Sequence, residues 1–220
     1  MESKRIIAIG DIHGCYHTMV DLLLKVNYDS ATDTLIFLGD YIDRGPFSYK
    51  VVKTLQKLQG QVGKDKVICL RGNHESLPMN YSHAVWMRNG GMFTLYDYER
   101  NGAEIQEDFG WFRSLPLYHQ TEQFIFCHAG LTYPDLISNS EEDLLWGRTW
   151  LEIDARPREK RVIFGHTPFR EVPCFSRTGD IGIDGGCVFG NQLCAMIIQK
   201  SGEYDFMTVQ KAPKDMEDTQ

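Results

Sequence analysis

Five short apolar stretches of this chain each run into a polar turn that contains a glycine. With their turns they read IAIGDIHG, LIFLGDYIDRG, VICLRGNHE, FIFCHAG and VIFGHTP. Ligands of α/β sheets bind beyond the carboxyl ends of the strands, so we expect these turns to meet at one edge. The metal-ligating side chains that the turns supply are Asp11, His13, Asp40, Asn73, His128 and His166.

This donor set predicts a metal centre for chemistry at phosphorus. Any one of the six residues alone would more often be a helix cap or a hydrogen-bonded polar side chain, but the repetition indicates a site. Six donors exceed a single tetrahedral site and suit two ions that share a carboxylate and a water. Carboxylate, amide and imidazole without thiolate indicate manganese, iron or zinc in preference to calcium or a structural zinc. We expect manganese, with iron and zinc as alternatives. Two such ions commonly stabilise an in-line displacement at phosphorus.

The elements that position the turns are predicted to be short strands and amphipathic helices. Apolar β-branched runs alternate with helical patterns such as Tyr16–Val26 and Tyr49–Leu58 in the first half, and strands dominate the second half. This order predicts a layered α/β fold, in which mixed β-sheets form a sandwich flanked by helices. We expect one domain over residues 1–212, with a helical excursion at about 75–118, followed by an acidic tail at 213–220.

Composition excludes several classes of protein. Thirty acidic and 23 basic residues give a formal net charge of −7, which does not support a nucleic-acid partner. No apolar run approaches 18 residues and no leader pattern is present, so we expect a cytoplasmic monomer without a membrane partner. The six cysteines include no C-x-x-C pair, and we expect reduced thiols.

The motifs GDIHG, GDYIDRG, RGNHE, HAG and GHT, in that order, resemble the phosphoprotein phosphatase family of binuclear metallophosphoesterases. The resemblance runs from about residue 5 to residue 190. Two further segments, LLWGR at 144–148 and IGIDGGCVFG at 181–190, resemble the small bacterial and phage serine/threonine phosphatase branch of that family. The family implies a calcineurin-like metallophosphoesterase fold and direct attack of a metal-bridging hydroxide on phosphorus.

The resemblance also implies a role for each residue of the turns. Its first metal ion would be held by Asp11, His13 and Asp40, and its second by Asp40, Asn73, His128 and His166. His74 is the candidate general acid and Asp43 would orient and charge it, so that the two form the candidate catalytic pair. The candidate substrate-binding residues are Arg44, Arg148, Asn73 and Arg71.

Two of the neighbouring residues have open alternatives. The guanidinium groups of Arg44 and Arg148 suit bidentate binding of phosphate oxygens. Arg71 would either contact the substrate or support its own loop. Glu75 would be a helix-start acid or a hydrogen-bond partner of a metal ligand.

Other routes to phosphate removal lack their motifs here. The chain contains no C-x5-R and no D-x-D sequence, which excludes a cysteine nucleophile and disfavours an aspartyl-phosphate intermediate. The leading prediction is therefore a metal-dependent phosphatase of phosphoserine and phosphothreonine in proteins, with phosphotyrosine as a further substrate. A non-catalytic metal-binding scaffold is disfavoured because His74, Asp43 and Arg44 are all present.

The alternative function is a symmetrical diadenosine tetraphosphatase that yields two ADP. The metal ligands alone do not separate a phosphoprotein from a dinucleoside polyphosphate. We expect the difference to lie in the aromatic residues of Glu75–Tyr118, where two rings near the metals would stack adenine. By composition these residues are more often core; they are Tyr81, Trp86, Phe93, Tyr96, Tyr98, Trp111 and Phe112.

Overall fold

The computed structural model describes residues 5–148 and 159–216, which form two five-stranded sheets packed face to face with helices outside. The first sheet has the order β10-β9-β1-β2-β3 and the second β4-β5-β6-β8-β7. The strands of the first are β1 (Arg5–Ile9), β2 (Asp33–Phe37), β3 (Val67–Cys69), β9 (Gln192–Gln199) and β10 (Tyr204–Gln210). Those of the second are β4 (Tyr118–Gln120), β5 (Phe124–Cys127), β6 (Arg161–Phe164), β7 (Cys174–Phe175) and β8 (Ile181–Gly182).

Both sheets are mixed, as the sequence predicts. In the first, β1, β2 and β3 are parallel, and β9 and β10 add antiparallel strands. In the second, β5, β6 and β8 are parallel between the antiparallel strands β4 and β7. The parallel strands therefore bring their carboxyl ends, and the turns that follow them, to one edge of the molecule.

The first sheet is buried on both faces, which explains its nearly continuous apolar strands. On one face, Ala8 and Ile36 pack against residues of the second sheet such as Phe126. On the other face, residues such as Ile7 and Phe37 pack under the helices. Side chains alternate across a strand, so each strand contributes to both cores.

Seven helices surround the sheets. They are α1 (Tyr16–Lys25), α2 (Ser48–Val62), α3 (Asn73–Asn80), α4 (His83–Arg88), α5 (Gly91–Arg100), α6 (Phe109–Ser114) and α7 (Glu141–Trp146), counted over the described residues. Helices α3 to α6 occupy the segment in which the sequence predicts a helical excursion. Among the described residues no helix is both long and apolar enough to cross a membrane. None of the six cysteines, all of which lie in the described part of the chain, forms a disulfide, and five of them are buried.

The chain after residue 212 differs from the predicted solvated tail. Pro213–Asp215 forms a short 3-10 turn in which Asp215 is buried. Its carboxylate accepts hydrogen bonds from the backbone N–H of His17 at 3.1 Å and from that of Thr18 at 2.7 Å. The first N–H groups of a helix lack partners within the helix, and Cys15 at the N-cap of α1 provides no side-chain cap. Asp215 satisfies these donors instead, and residues 217–220 lie outside the described residues.

Candidate active site

Several side chains in the turns at the carboxyl ends of the strands belong to residues with left-handed backbone conformations. Six non-glycine residues among those described have a positive φ, and five of them lie in these turns. They are His13 (φ 44°), Asp40 (φ 54°), Asp43 (φ 71°), Arg44 (φ 68°) and His166 (φ 63°). Such a conformation costs about 1–3 kcal/mol per residue and persists only where the surroundings enforce it. The positive φ angles therefore lower the stability of the fold, and in return they fix the positions of these side chains.

Glu75 enforces the turn that follows β2. Its carboxylate, which is fully buried, accepts hydrogen bonds from the backbone N–H groups of Asp40 (2.9 Å), Tyr41 (2.8 Å) and Gly72 (2.9 Å). Burial and the nearby Asp40 raise the pKa of Glu75 to about 7. Glu75 lies in the first turn of α3, so both interpretations left open by the sequence apply: it is a helix-start acid and it positions a predicted metal ligand.

Three of the predicted ligands of the second ion lie together. Asn73 Oδ1 is 2.8 Å from His128 Nε2 and 2.9 Å from His166 Nδ1. His128 Nδ1 donates to the carbonyl of Leu38 at 2.9 Å, which leaves its Nε2 lone pair facing Asn73 and His166. Burial lowers the pKa of His128. Burial, together with the neighbouring His128, also lowers the pKa of His166, to about 3. Both imidazoles are thus neutral, as metal coordination requires.

His13 is oriented in the same way on the other side of Asp40. His13 Nδ1 donates to the carbonyl of Ile42 at 2.8 Å, and its Nε2 lies 3.3 Å from Asp40 Oδ2. Burial and the neighbouring His74 lower the pKa of His13. Arg44 Nη1 lies 2.8 Å from the same Nε2, so the guanidinium and a metal ion would compete for one lone pair.

Asp11 lies in the site but outside the two tight donor groups of the described residues, which are His13–Asp40–His74 and Asp40–His128–His166. Asp11 Oδ2 accepts the backbone N–H of His166 at 2.9 Å. Its Oδ1 is buried and has no hydrogen-bond partner. Burial, with Asp184 and Asp40 nearby, raises the pKa of Asp11.

These groups fit a pair of divalent cations. Buried polar atoms normally have partners, yet Asp11 Oδ1 has none within the protein. His166 Nδ1 and His128 Nε2 lie 3.1 Å apart with Asn73 Oδ1 beside both, so their lone pairs face one another. Asp40 belongs to both donor groups, as a shared carboxylate should. Burial alone would raise the pKa of Asp40, but the histidines around it, His128 foremost, hold that pKa well below its usual range.

The imidazole of His74 is hydrogen-bonded to Asp43, while the backbone N–H of His74 donates to Asp40 Oδ1 at 3.0 Å. His74 Nδ1 lies 2.7 Å from Asp43 Oδ2, while its Nε2 is buried without a hydrogen-bond partner, 3.9 Å from Asp40 Oδ2. Burial opposes protonation of His74, but Asp40 and Asp43 raise its pKa overall. Asp43 also accepts hydrogen bonds from Trp86 Nε1 at 3.0 Å and from Thr94 Oγ1 at 2.6 Å. Sequence reasoning did not consider Thr94, and it considered Trp86 only as one of the rings that would stack adenine.

A pocket of about 230 Å³ opens beside these groups. Arg44 and Arg148 line it, as the sequence predicts for phosphate-binding arginines. Arg71 is not among its lining residues; the guanidinium pairs with Glu141 at 3.2 Å and the backbone N–H donates to Pro116. The supporting role left open for Arg71 is therefore the one that the structure favours.

The aromatic residues of Glu75–Tyr118 do not line this pocket. Trp86, Tyr98 and Phe112 are buried and Trp111 packs against the same core, whereas Tyr81, Phe93 and Tyr96 are exposed, so the expected core assignment holds for only part of this set. The rings that do line the pocket, Trp146 and Phe189, lie instead in the LLWGR and IGIDGGCVFG segments. These segments were recognised in the sequence, but their aromatic residues were not singled out. The other residues that sequence reasoning missed are Asn89 and Pro168 in the pocket and Asp184 beside Asp11.

A two-sheet fold with neutral imidazoles, carboxylates and arginines at its strand ends defines a metallophosphoesterase. The chain belongs to the calcineurin-like phosphoesterase family, which matches residues 4–207. It is therefore a hydrolase of the metallophosphoesterase superfamily, and the resemblance to the phosphoprotein phosphatases is confirmed.

Two curated relatives differ in their named activities. The asymmetrical bis(5'-nucleosyl)-tetraphosphatase PrpE of Bacillus velezensis is 31% identical over 84% of this chain and 85% of its own. Serine/threonine-protein phosphatase 1 of Salmonella typhimurium is 28% identical over 89% of this chain and 93% of its own.

Solved structures show the same fold. A putative diadenosine tetraphosphatase aligns over 96% of this chain and 95% of its own, with a TM-score of 0.71 and 23% identity. A serine/threonine phosphatase of Saccharomyces cerevisiae with similarity to human PP5 aligns over 96% of this chain and 81% of its own, with a TM-score of 0.71 and 17% identity.

Proposed function

We propose that this chain hydrolyses dinucleoside polyphosphates, with manganese as the native metal. Asp11, His13 and Asp40 would hold one ion, and Asp40, Asn73, His128 and His166 the other. Bound there, the ions would lower the pKa of a shared water and stabilise charge that develops on the phosphoryl oxygens. The donor atoms turned toward one another around Asp40 support this assignment.

The pairing of His74 with Asp43 carries the hydrolytic proposal. Because Nδ1 of His74 is held by Asp43, a proton on Nε2 can be given to the oxygen that leaves phosphorus. Asp43 is itself held by Trp86 and Thr94, so the imidazole has a defined orientation. A scaffold without catalytic activity would have no need of this arrangement.

Arg44 and Arg148 would bind the phosphoryl oxygens. Both line the pocket beside His74, and a guanidinium group recognises two phosphate oxygens at once. If His13 Nε2 held a metal ion, its lone pair would no longer be available to Nη1 of Arg44, and this group would be free to bind a phosphate oxygen. Arg44 would therefore respond to metal binding as well as to phosphate.

The dinucleotide substrate is supported by a second cavity of about 520 Å³, which shares Pro168 and Phe189 with the metal pocket. A phosphomonoester needs only the first pocket, whereas a dinucleotide must extend beyond it. The asymmetrical activity named for PrpE, at 31% identity, favours cleavage of diadenosine tetraphosphate to ATP and AMP over the symmetrical cleavage predicted from the sequence.

Phosphoserine and phosphothreonine in proteins are the second candidate substrates. The rim residues Arg148, Pro168 and Phe189 are exposed, so a phosphate on a protein surface has access to the pocket. The Salmonella relative, named as a serine/threonine phosphatase, is almost as similar to this chain as PrpE.

One experiment separates these candidates. Metal-stripped protein is loaded with Mn²⁺, and turnover of a phosphoserine peptide and of diadenosine tetraphosphate is compared, with nucleotide products separated by chromatography. ATP and AMP in equal amounts support the proposal, and two ADP indicate the symmetrical activity. A higher kcat/KM on the peptide indicates a protein phosphatase, and no turnover with two bound metals indicates a scaffold.

A further inference from the structure

Phe189 is an exposed ring that the backbone nevertheless holds in place. Its side chain retains 64% of its accessible surface. It ends the short 3-10 turn Cys187–Phe189, which is flanked by Gly186 (φ 65°) and Gly190 (φ 89°). The backbone N–H of Phe189 donates to the carbonyl of Gly186 at 3.0 Å. An apolar ring kept in water by a defined turn is poorly explained by folding alone.

The ring of Phe189 lies where the metal pocket meets the second cavity, which we call the Phe189 groove. Pro168, Phe169 and Arg170 line one part of the groove, and Gly186, Phe189 and Asn191 another. The Phe169 N–H donates to the carbonyl of Asp184 at 2.9 Å, and Asn191 Nδ2 lies 3.3 Å from the carbonyls of Phe169 and Arg170. The two parts are thus tied together, and the groove is preformed.

The groove also lies close in sequence to His166, one of the proposed metal ligands. Phe169 follows His166 by three residues, so a substrate whose phosphate lies at the metals has its next groups at the groove. The guanidinium carbon of Arg44 lies 5.5 Å from the centre of the Phe189 ring and covers one of its faces. Arg44 therefore contacts both the phosphate pocket and the ring.

We propose that the Phe189 groove is the nucleoside subsite of this enzyme, in which a nucleobase stacks on the free face of Phe189. This inference rests on the proposed dinucleotide substrate and adds the place where its base binds. Stacking of a base on an aromatic side chain is worth about 5- to 150-fold in affinity. The volume of the groove, about 520 Å³, suits a nucleoside-sized ligand.

The charged residues at the groove fit the same ligand. Arg170 lines it and would contact phosphates that follow the scissile one, while Arg44 holds the first. Glu171 also lines it and offers an acceptor for an exocyclic amino group of the base. The Arg44 guanidinium over the Phe189 ring and Arg170 in the same groove favour a ligand that carries both an aromatic ring and phosphate groups over a neutral peptide.

The test compares a substrate that carries a base with one that does not. In Phe189→Ala we expect kcat/KM for diadenosine tetraphosphate to fall tenfold to a hundredfold relative to that for tripolyphosphate, mainly through KM, and Phe189→Trp to restore it. The matched control is Phe175→Ala, because Phe175 is 57% exposed on β7, outside both cavities, and its removal should change neither activity. An equal loss on both substrates in Phe189→Ala would overturn the subsite.

Binding without turnover distinguishes failure of the subsite from failure of the proposed function. Calorimetry should show AMP binding at least tenfold more tightly than ribose 5-phosphate, with the difference lost in Phe189→Ala. If wild-type protein shows this difference yet leaves diadenosine tetraphosphate intact, the subsite stands and the dinucleotide activity is wrong. If AMP and ribose 5-phosphate bind equally, the subsite is wrong whatever the enzyme hydrolyses.

Discussion

Asp43 Oδ2 lies 2.7 Å from His74 Nδ1, and both side chains are almost fully buried. This contact joins the turn after β2 to the first turn of α3, across 31 positions of the chain. It leaves Nε2 as the free atom of the imidazole, beside Asp40 and the pocket. The relationship gives His74 a chemical role that its neighbour Asn73, turned to His128 and His166, does not have.

Replacement of His74 tests the general acid. In His74→Asn we expect metal content to be retained, and kcat for a phosphoserine peptide to fall by about 10²–10⁴-fold because the leaving alkoxide needs a proton. An aryl phosphate has a better leaving group and should lose much less. Steady-state kinetics on both substrates, with metal content from elemental analysis, make the comparison.

The matched control for that prediction is His119→Asn, since His119 is half-buried on β4 and does not line the pocket. We expect its kinetics to equal those of the wild type. Equal losses on the peptide and the aryl phosphate in His74→Asn would show that His74 is not the proton donor.

Glu75→Gln tests the support of the turn that carries Asp40. The two carboxylate oxygens of Glu75 accept hydrogen bonds from three backbone N–H groups. Glutamine replaces one of these oxygens with an NH₂ group, which cannot accept, so at least one buried N–H group loses its partner. We expect the free energy of unfolding to fall by about 1–3 kcal/mol. Loss of a hydrogen-bond partner of a metal ligand should also lower Mn²⁺ affinity by about 10–100-fold. Urea denaturation of the metal-free protein and calorimetric Mn²⁺ titration measure the two effects separately.

Glu99→Gln is the control for this change, because Glu99 is exposed on α5. Its stability and Mn²⁺ affinity should match those of the wild type. Wild-type Mn²⁺ affinity in Glu75→Gln would show that the turn is held without Glu75.

Gly165→Ala tests whether the close contact between the Asp11 carboxylate and the backbone at Gly165 is needed for metal binding. A Cβ atom at Gly165 would lie 2.0 Å from Asp11 Oδ1, so the carboxylate must move. We expect Gly165→Ala to lose Mn²⁺ binding and activity together.

Gly60→Ala is the control, because Gly60 lies in α2 with open space around its Cβ position. This variant should gain about 1 kcal/mol of stability. Full metal binding in Gly165→Ala would remove Asp11 from the ligand set.

The pair of Arg5 and Asp33 predicts a pH-dependent part of the stability. Arg5 Nε and Nη2 each donate to Asp33 at 2.9 Å. Burial alone would raise the pKa of Asp33, but Arg5 and the Asp29 N–H lower it overall. A lowered folded-state pKa means that the stabilisation is present above the unfolded-state value of about 3.9 and is lost as the pH falls through the folded-state value.

We therefore expect Arg5→Met to lose about 1–3 kcal/mol of unfolding free energy at pH 7. The difference from wild type should shrink as the pH falls below about 4, when Asp33 becomes protonated in both folded proteins. Urea unfolding of the two proteins between pH 2.5 and pH 7 checks this. A difference that does not depend on pH would mean that Arg5 stabilises the fold through packing and its hydrogen bonds to the carbonyls of Val26 and Asn27, and not through Asp33.

Most of the candidate metal site could be picked out from the sequence because the proposed ligands follow strands within a few residues. Short apolar strands can be recognised from their β-branched runs. The proposed ligands lie within a few residues of a strand end, as His128 lies after β5 and His166 after β6. The parallel sheet then brings those turns together whatever the details of the core. The mixed-sheet α/β fold follows from the same pattern.

Only the tertiary structure showed which groups the supporting residues hold and which residues extend the site. Glu75 holds the backbone of Asp40 across 35 positions, and Trp86 donates to Asp43 across 43. Such contacts depend on how helices pack over the sheet edge, which hydrophobic periodicity does not determine. The same holds for Asp215 at the start of α1 and for Phe189 between the two cavities. Local sequence thus specifies the candidate catalytic and metal-binding groups, while long-range packing specifies their orientation and the surface around the pocket.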